Sequence, residues 1–282
     1  MIILSGGLHV ARVAIKYIPD DQDLILIFNG CEEWEKRWAH SNLKFSGSIS
    51  FPYTLPHYLI INFLLQTIKQ PFGLIDYDCF VLNPEYFARI RNISLNNSFS
   101  SYYGYKNEYM DVVFPETFIL FINQPVIAQI MKTYHVDASE KKWNEIHENV
   151  KNKFIEAGLS QNHLIESYKN FFDTLRVIMA LCVIEDKNFY FPELFSQFET
   201  TKIFHVGSAS KFNKVAKPWD LRAAYFWNKA LEQEQDQWLA SKYFSKYGHR
   251  STNDILENYL KVKQKWELDF VNAVDRVLLS RF

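Results

Sequence analysis

An alternation of short apolar runs with helical periodicity over the first 125 residues constrains this chain more than any other feature. Ile2 to Leu4 is apolar and closes at Ser5-Gly6-Gly7. Leu8 to Ile18 then places Val10, Val13, Ala14 and Tyr17 on one helical face. After a turn at Pro19-Asp20-Asp21, Leu24 to Phe28 is a buried-type strand and Glu32 to Trp38 a helix. Residues 41–56, rich in Ser, Gly and Pro, read as a loop. His57 to Gln70 reads as a helix, Phe72 to Ile75 as a strand, Pro84 to Arg91 as a short helix, and Phe99 to Tyr103 and Thr117 to Ile122 as strands. Such an order predicts βαβ units, hence an α/β fold with a mainly parallel, Rossmann-like sheet flanked by helices. Sheets of this kind bind ligands at the carboxyl ends of their strands. Ser5-Gly6-Gly7 and the pair Asp76 and Asp78 both fall at such ends.

From about residue 137 the pattern turns helical. Lys141 to Ala157 and Ser160 to Leu181 read as helices, with short strands at Phe189 to Phe191 and Lys202 to Val206. A basic loop, GSASKFNKVAKPWD, follows. Ala223 to Tyr247 reads as one helix, Gly248 breaks it, and Ser251 caps a last helix with apolar residues from Ile255 to Val277 at helical spacing. The expected division is an α/β domain over residues 1–225 and a helical C-terminal extension over 226–282. The last helix, which carries Lys261, Lys263 and Lys265, has three open roles: docking on that domain, homodimer contact, or peripheral contact with a membrane surface.

Charge narrows the partners. A net charge of −1 provides no bulk field toward nucleic acid or an anionic membrane. The three cysteines are widely spaced and form no CxxC pair, which argues against disulfides and structural zinc and for a reducing compartment. The start of the chain has no basic segment before its short apolar run and reads as a first strand rather than a signal peptide. No stretch is long and apolar enough to span a bilayer, so no membrane-spanning helix is expected, which fits a cytoplasmic location.

The Asp76-Tyr77-Asp78 pair carries the chemistry. A second pair of the same spacing, Asp21-Gln22-Asp23, lies in a Pro-led turn where solvated carboxylates are ordinary. The pair at 76 and 78 instead lies between two apolar stretches, Phe72 to Ile75 and Phe80 to Leu82. Two carboxylates buried close together cost several kcal/mol unless a cation neutralises them. Mg²⁺ or Mn²⁺ does so with oxygen ligands and shares them with substrate phosphates. The structural alternative is a strand-to-loop junction whose aspartates cap the next helix. His205 follows a strand-like run and precedes a small-residue loop with Lys211, Lys214 and Lys217. An imidazole there completes a coordination set, and the loop's backbone N–H groups and lysines suit a phosphate.

The stretches IDYDCFVLNPEYF (75–87) and HVGSASKFNKVAKPW (205–219) together resemble the GT-A glycosyltransferases. The nearer likeness is to the glycogenin and lipopolysaccharide galactosyltransferase group, in which a D-x-D strand end is followed late in the chain by a His–Gly–Lys-Pro-Trp motif. Lys211 has that motif's spacing from the His, whereas the Lys-Pro-Trp itself is Lys217-Pro218-Trp219, so either lysine is the diphosphate contact. The resemblance implies a metal-dependent enzyme moving a sugar from a nucleotide sugar, a UDP-sugar foremost, to an oligosaccharide or lipid-linked glycan in bacterial surface polysaccharide synthesis. It implies Asp76, Asp78 and His205 as ligands of Mn²⁺ or Mg²⁺. Ser5, Gly6, Gly7, Asn29, Asp76, Gly207, Lys211 and Lys217 would bind the donor. Asp173 is the first candidate for acceptor chemistry and Glu116 the second. A sugar-nucleotide pyrophosphorylase and an inactive glycan-binding module of the same fold are the alternatives. Of Tyr102, Tyr103, Tyr105 and Tyr109, beside the expected cleft, most are expected in the core.

Overall fold

The computed structural model describes residues 1–165, 170–196, 199–207, 218–248, 250–260 and 265–279. Eleven strands are described: β1 (Ile2–Leu4), β2 (Ile25–Asn29), β3 (Gly47–Phe51), β4 (Phe72–Asp76), β5 (Cys79–Val81), β6 (Phe99–Ser101), β7 (Gly104–Asn107), β8 (Val112–Pro115), β9 (Ile119–Ile122), β10 (Phe189–Tyr190) and β11 (Ile203–His205). The chain forms two units. One comprises residues 1–54, 75–86 and 197–282, the other residues 55–74 and 87–196, and a boundary falls inside β4.

In the first unit the strands run β4-β1-β2-β3, all parallel, as the alternation predicts. Register places Ile3 beside both Ile27 and Asp76, so β1, β2 and β4 end at one edge. The centre of this sheet is fully apolar because helices cover both faces: Ile2, Leu4, Leu26, Ile27 and Phe28 are buried. β5 and β11 form a separate antiparallel ribbon. Its Phe80 and Phe204 stack at 6.0 Å, and Phe226 and Phe270 of the C-terminal helices close round them. The last helix docks in this unit, where the Tyr17 hydroxyl donates to the Val277 carbonyl at 2.9 Å.

In the second unit β10-β6-β9 and the first half of β4 lie side by side, with β6 parallel to β10 and antiparallel to β9. β7 and β8 make a hairpin. Tyr102 and Tyr103 are buried in this unit's core, Tyr102 stacked on Phe195 at 5.2 Å, while Tyr109 is exposed and stacks on His163.

Several element boundaries differ from expectation. The segment read as a loop over 41–56 contains β3, a sheet-edge strand whose Ser48 and Ser50 face solvent in alternation with Gly47, Ile49 and Phe51. The helix expected over Ser160 to Leu181 is interrupted. Phe172 pairs with Lys141 in a backbone bridge, and Leu175 turns left-handed (φ 66°) before a helix runs over Arg176–Ile184. The charged helix expected from Lys141 starts only at Glu148, where the His147 side chain accepts the Asn149 N–H. Ala223 to Tyr247 is two helices, Pro218–Glu232 and Gln237–Tyr247, because the Asp236 carboxylate accepts the Leu239 N–H at 3.0 Å and starts a new one. β5, β7, β8 and the helix Gln124–Tyr134 were not expected. The last helix is described as Thr252–Leu260 and Lys265–Leu279; Lys261 and Lys263 lie outside the described residues. Among the described residues no helix is long and apolar enough to cross a membrane.

Candidate metal centre

Local folding brings the acids and the imidazole together. β4 delivers Asp76 at its last position, and the chain reverses through Tyr77-Asp78 into β5. β11 pairs with β5 so that His205 lies opposite Cys79, and the Val206 N–H donates to the Asp78 carbonyl at 3.1 Å. His205 Nε2 stands 3.6 Å from Asp78 Oδ1 and 3.9 Å from Asp76 Oδ2. One ligand atom from each of the three residues lies within 4.8 Å of the other two. Ligand atoms about 2.1 Å from a shared Mg²⁺ stand roughly 3 to 4.2 Å apart, a range that includes the two His205 separations of 3.6 and 3.9 Å.

The electrostatics fit that ion. The Asp76 carboxyl is pushed up to about 7, by lost hydration first and by the charge of Asp78 second, with His205 pulling the other way. Its side chain still keeps 37% of its surface, which places it at the rim, whereas Asp78 keeps 5%. Burial disfavours a charged His205, yet Asp78, through charge and hydrogen bond, and Asp76 outweigh it and raise the imidazole above its ordinary range, against the positive charge of Arg222. Without a cation, protons hold this cluster together; a divalent ion would replace them. Two carboxylates with one borderline imidazole form an oxygen-rich donor set that would suit Mn²⁺ or Mg²⁺. Cys79, next to the acids, is raised well above its ordinary range by burial and then by both carboxylates, so it stays a thiol in the metal-free protein.

The glycine turn shares the edge. Gly6 and Gly7 are left-handed, with φ of 89° and 75°. A β-carbon on Gly7 would stand 2.8 Å from the Trp227 ring and 3.1 Å from that of Tyr77, so the turn, the D-x-D residue Tyr77 and a C-terminal helix meet here. The Asn29 amide donates to the Ser5 hydroxyl at 3.1 Å and ties the ends of β1 and β2 together. Gly207, also left-handed (φ 77°), lies against His205: a β-carbon there would stand 3.9 Å from the imidazole.

Asp173 and Glu116 belong to the second unit. Asp173 sits between the Phe172 bridge and the Arg176 helix, where its carboxylate accepts the Thr174 N–H at 2.9 Å, rather than inside a helix. The Glu116 N–H donates to the Tyr103 carbonyl at 2.9 Å, between β8 and β9. Lys211, Lys214 and Lys217 lie outside the described residues. The sequence reading missed Tyr77, Trp227, Tyr243 and Tyr247 at this edge. The last two stand four apart on one helix, a spacing that marks a shared face.

Residues 1–127 match the StrH glycosyltransferase N-terminal domain, a span that contains the D-x-D pair. The sequence matches no curated protein. Three solved chains are similar at low identity. They are the glycosyltransferase GlyE of Streptococcus pneumoniae TIGR4 (11% identity over 89% of this chain and 64% of that one, TM-score 0.41), the mannosyltransferase PcManGT of Pyrobaculum calidifontis in complex with GDP-Man and Mn²⁺ (7%, 100% and 87%, 0.41), and the bifunctional glycosyltransferase WbbM (12%, 96% and 51%, 0.35). The chain thus spans less than two thirds of GlyE and about half of WbbM.

Proposed function

We propose that this chain is a divalent-metal-dependent glycosyltransferase that moves a sugar from a nucleoside-diphosphate sugar to an oligosaccharide or lipid-linked glycan. The observation that carries the reading is the convergence of Asp76, Asp78 and His205 within 4.8 Å at the carboxyl edge of a parallel sheet. Asp76, Asp78 and His205 would hold Mn²⁺ or Mg²⁺. When bound, the ion supplies Lewis-acid stabilisation of negative charge on the leaving diphosphate. The chain's own residues do the remaining work. The Ser5-Gly6-Gly7 turn, tied to Asn29, would meet the nucleoside through Ser5 and the Gly6 backbone, while Gly7 lets the Trp227 and Tyr77 rings pack against the turn. Gly207, Lys211 and Lys217 meet the diphosphate, the lysines as point charges. Asp173 is our candidate for activating or orienting the acceptor hydroxyl, with Glu116 second.

Within the GT-A superfamily, the glycogenin and lipopolysaccharide galactosyltransferase group is the proposed nearest kin, on the strength of the two motifs. We further propose a UDP-sugar donor, a role in bacterial surface polysaccharide synthesis and a cytoplasmic location. Residues 1–225 would form the catalytic domain and residues 226–282 its helical extension.

The test is a thermal-shift screen of nucleoside diphosphates and nucleotide sugars with and without Mn²⁺, followed by donor hydrolysis. A transferase gains stability from a nucleoside diphosphate only with metal and slowly releases sugar from its donor. Release of pyrophosphate from a nucleoside triphosphate, or glycan binding indifferent to metal, would overturn the reading.

A further inference from the structure

We infer that Tyr247, on the helix Gln237–Tyr247, is a donor-positioning residue whose hydroxyl contacts the nucleoside half of the donor at the Gly6 turn. The inference rests on the nucleotide-sugar reading above and adds to it a residue from the C-terminal helices, outside both sequence motifs.

The argument starts from the stacked pair Tyr243 and Tyr247, one helical turn apart, ring centroids 6.1 Å and planes 12° from parallel. The two rings have different surroundings. Tyr243 is fully buried, and its hydroxyl is committed inside: it accepts the Leu8 N–H at 2.9 Å and donates to the Glu35 carboxylate at 2.8 Å. Glu35, itself buried, also accepts the Glu32 N–H at 2.8 Å. This network explains how the helix is fastened to the start of the chain, and Tyr243 alone suffices for it.

Tyr247 continues the stack outward and is 38% exposed. It meets Trp227 edge-on at 5.9 Å, and Trp227 is the ring against which Gly7 packs. A β-carbon built on Gly6 would stand 3.7 Å from the Tyr247 hydroxyl and 3.5 Å from Glu35 Oε1. The hydroxyl therefore stands against Gly6, at the carboxyl end of β1, where any side chain would touch it. Lys246 orients it. The ammonium sits 5.1 Å from the Tyr247 ring centroid, is anchored to Glu32 at 2.6 Å, and is held above its ordinary range by Glu32, Tyr247 and Glu35 against the effect of burial. A phenol hydroxyl beside that ammonium suits a ribose hydroxyl or a base carbonyl as its partner.

Tyr247→Phe keeps the ring and its stacking and removes only the hydroxyl. Affinities are measured by calorimetry in Mn²⁺ for a series of nucleoside diphosphates and for inorganic pyrophosphate, with Asp78→Asn in parallel. Tyr247→Phe is expected to weaken the best nucleoside diphosphate about fivefold to tenfold and to raise the donor KM. Pyrophosphate, which has no nucleoside, is expected to bind within about twofold of the native protein. Unchanged nucleoside diphosphate affinity would overturn the inference, as would equal weakening of both ligands. Loss of both ligands in Asp78→Asn supports the metal reading, and their retention counts against that reading alone.

Discussion

Asp78→Asn is expected to leave the metal-free protein at least as stable as the native one while abolishing its response to Mn²⁺. The ligand oxygens of Asp76 and Asp78 lie within 4.8 Å of each other. Two unit charges at that distance repel by about 3.5 kcal/mol at an effective dielectric constant of 20. Asp76 stands at the rim and is half protonated near neutral pH, being pushed up to about 7, so only part of that repulsion acts. The substitution also removes the attraction of Asp78 for His205, though the new amide keeps an acceptor oxygen for the imidazole. The net relief is about 1 kcal/mol, or roughly 2–4 °C upward in Tm for a chain of this size. Native protein in Mn²⁺ at one hundred times Kd should gain about 2.7 kcal/mol, and the variant nothing. Differential scanning fluorimetry in EDTA and in Mn²⁺ measures both quantities. A variant that melts several degrees lower in EDTA yet keeps the Mn²⁺ shift would show that Asp78 is a structural acid and would refute the reasoning.

Mn²⁺ affinity should rise with pH. Asp76 is pushed up to about 7 and His205 is raised above its ordinary range, so binding displaces up to two protons; a plot of log affinity against pH should have a slope near two on the acid side and flatten once both groups have lost their protons. Both groups have folded pKa values above their unfolded ones, so their contribution to metal-free stability is present at acid pH and lost as pH rises, for Asp76 from its ordinary 3.8 through about 7 and for His205 from its ordinary 6.5 upward; denaturant titrations across that range check the sign. Gly7→Ala should cost at least about 1 kcal/mol more than Gly158→Ala in chemical denaturation, since both glycines are left-handed but only Gly7 has a ring within 3 Å of the new methyl. Asp173→Asn should lower kcat about 100-fold or more without changing Mn²⁺ affinity; a kcat within threefold of native would move the acceptor role to Glu116, tested as Glu116→Gln.

The parallel core of the first unit was legible because β1, β2 and β4 are continuous apolar runs bounded by Gly, Pro and Asp, a pattern that only a sheet covered on both faces requires. The D-x-D pair stood out for the same reason: carboxylates at the end of such a run need a partner. β3 was hidden because a sheet-edge strand with serines on its outer side has the composition of a loop. Phe172 and Asp173 looked helical because nothing local announces that Phe172 will pair with Lys141, 31 positions earlier in the chain. The role of β5 depends on β11, and a three-residue strand becomes visible only with its distant partner in place. Tyr247 was out of reach for a related reason: its place beside Gly6 is set by the Tyr243–Glu35 hydrogen bond, which joins residues 208 positions apart.

Titration of the protein with Mn²⁺, followed by the electron paramagnetic resonance signal of the free ion, addresses the central claim most directly. Native protein with a nucleoside diphosphate should remove one equivalent of free Mn²⁺ beyond what the nucleotide alone removes. Asp76→Asn, Asp78→Asn and His205→Ala should each weaken that binding tenfold or more while keeping the native fold by circular dichroism. Equal uptake by the native protein and all three variants would contradict the account.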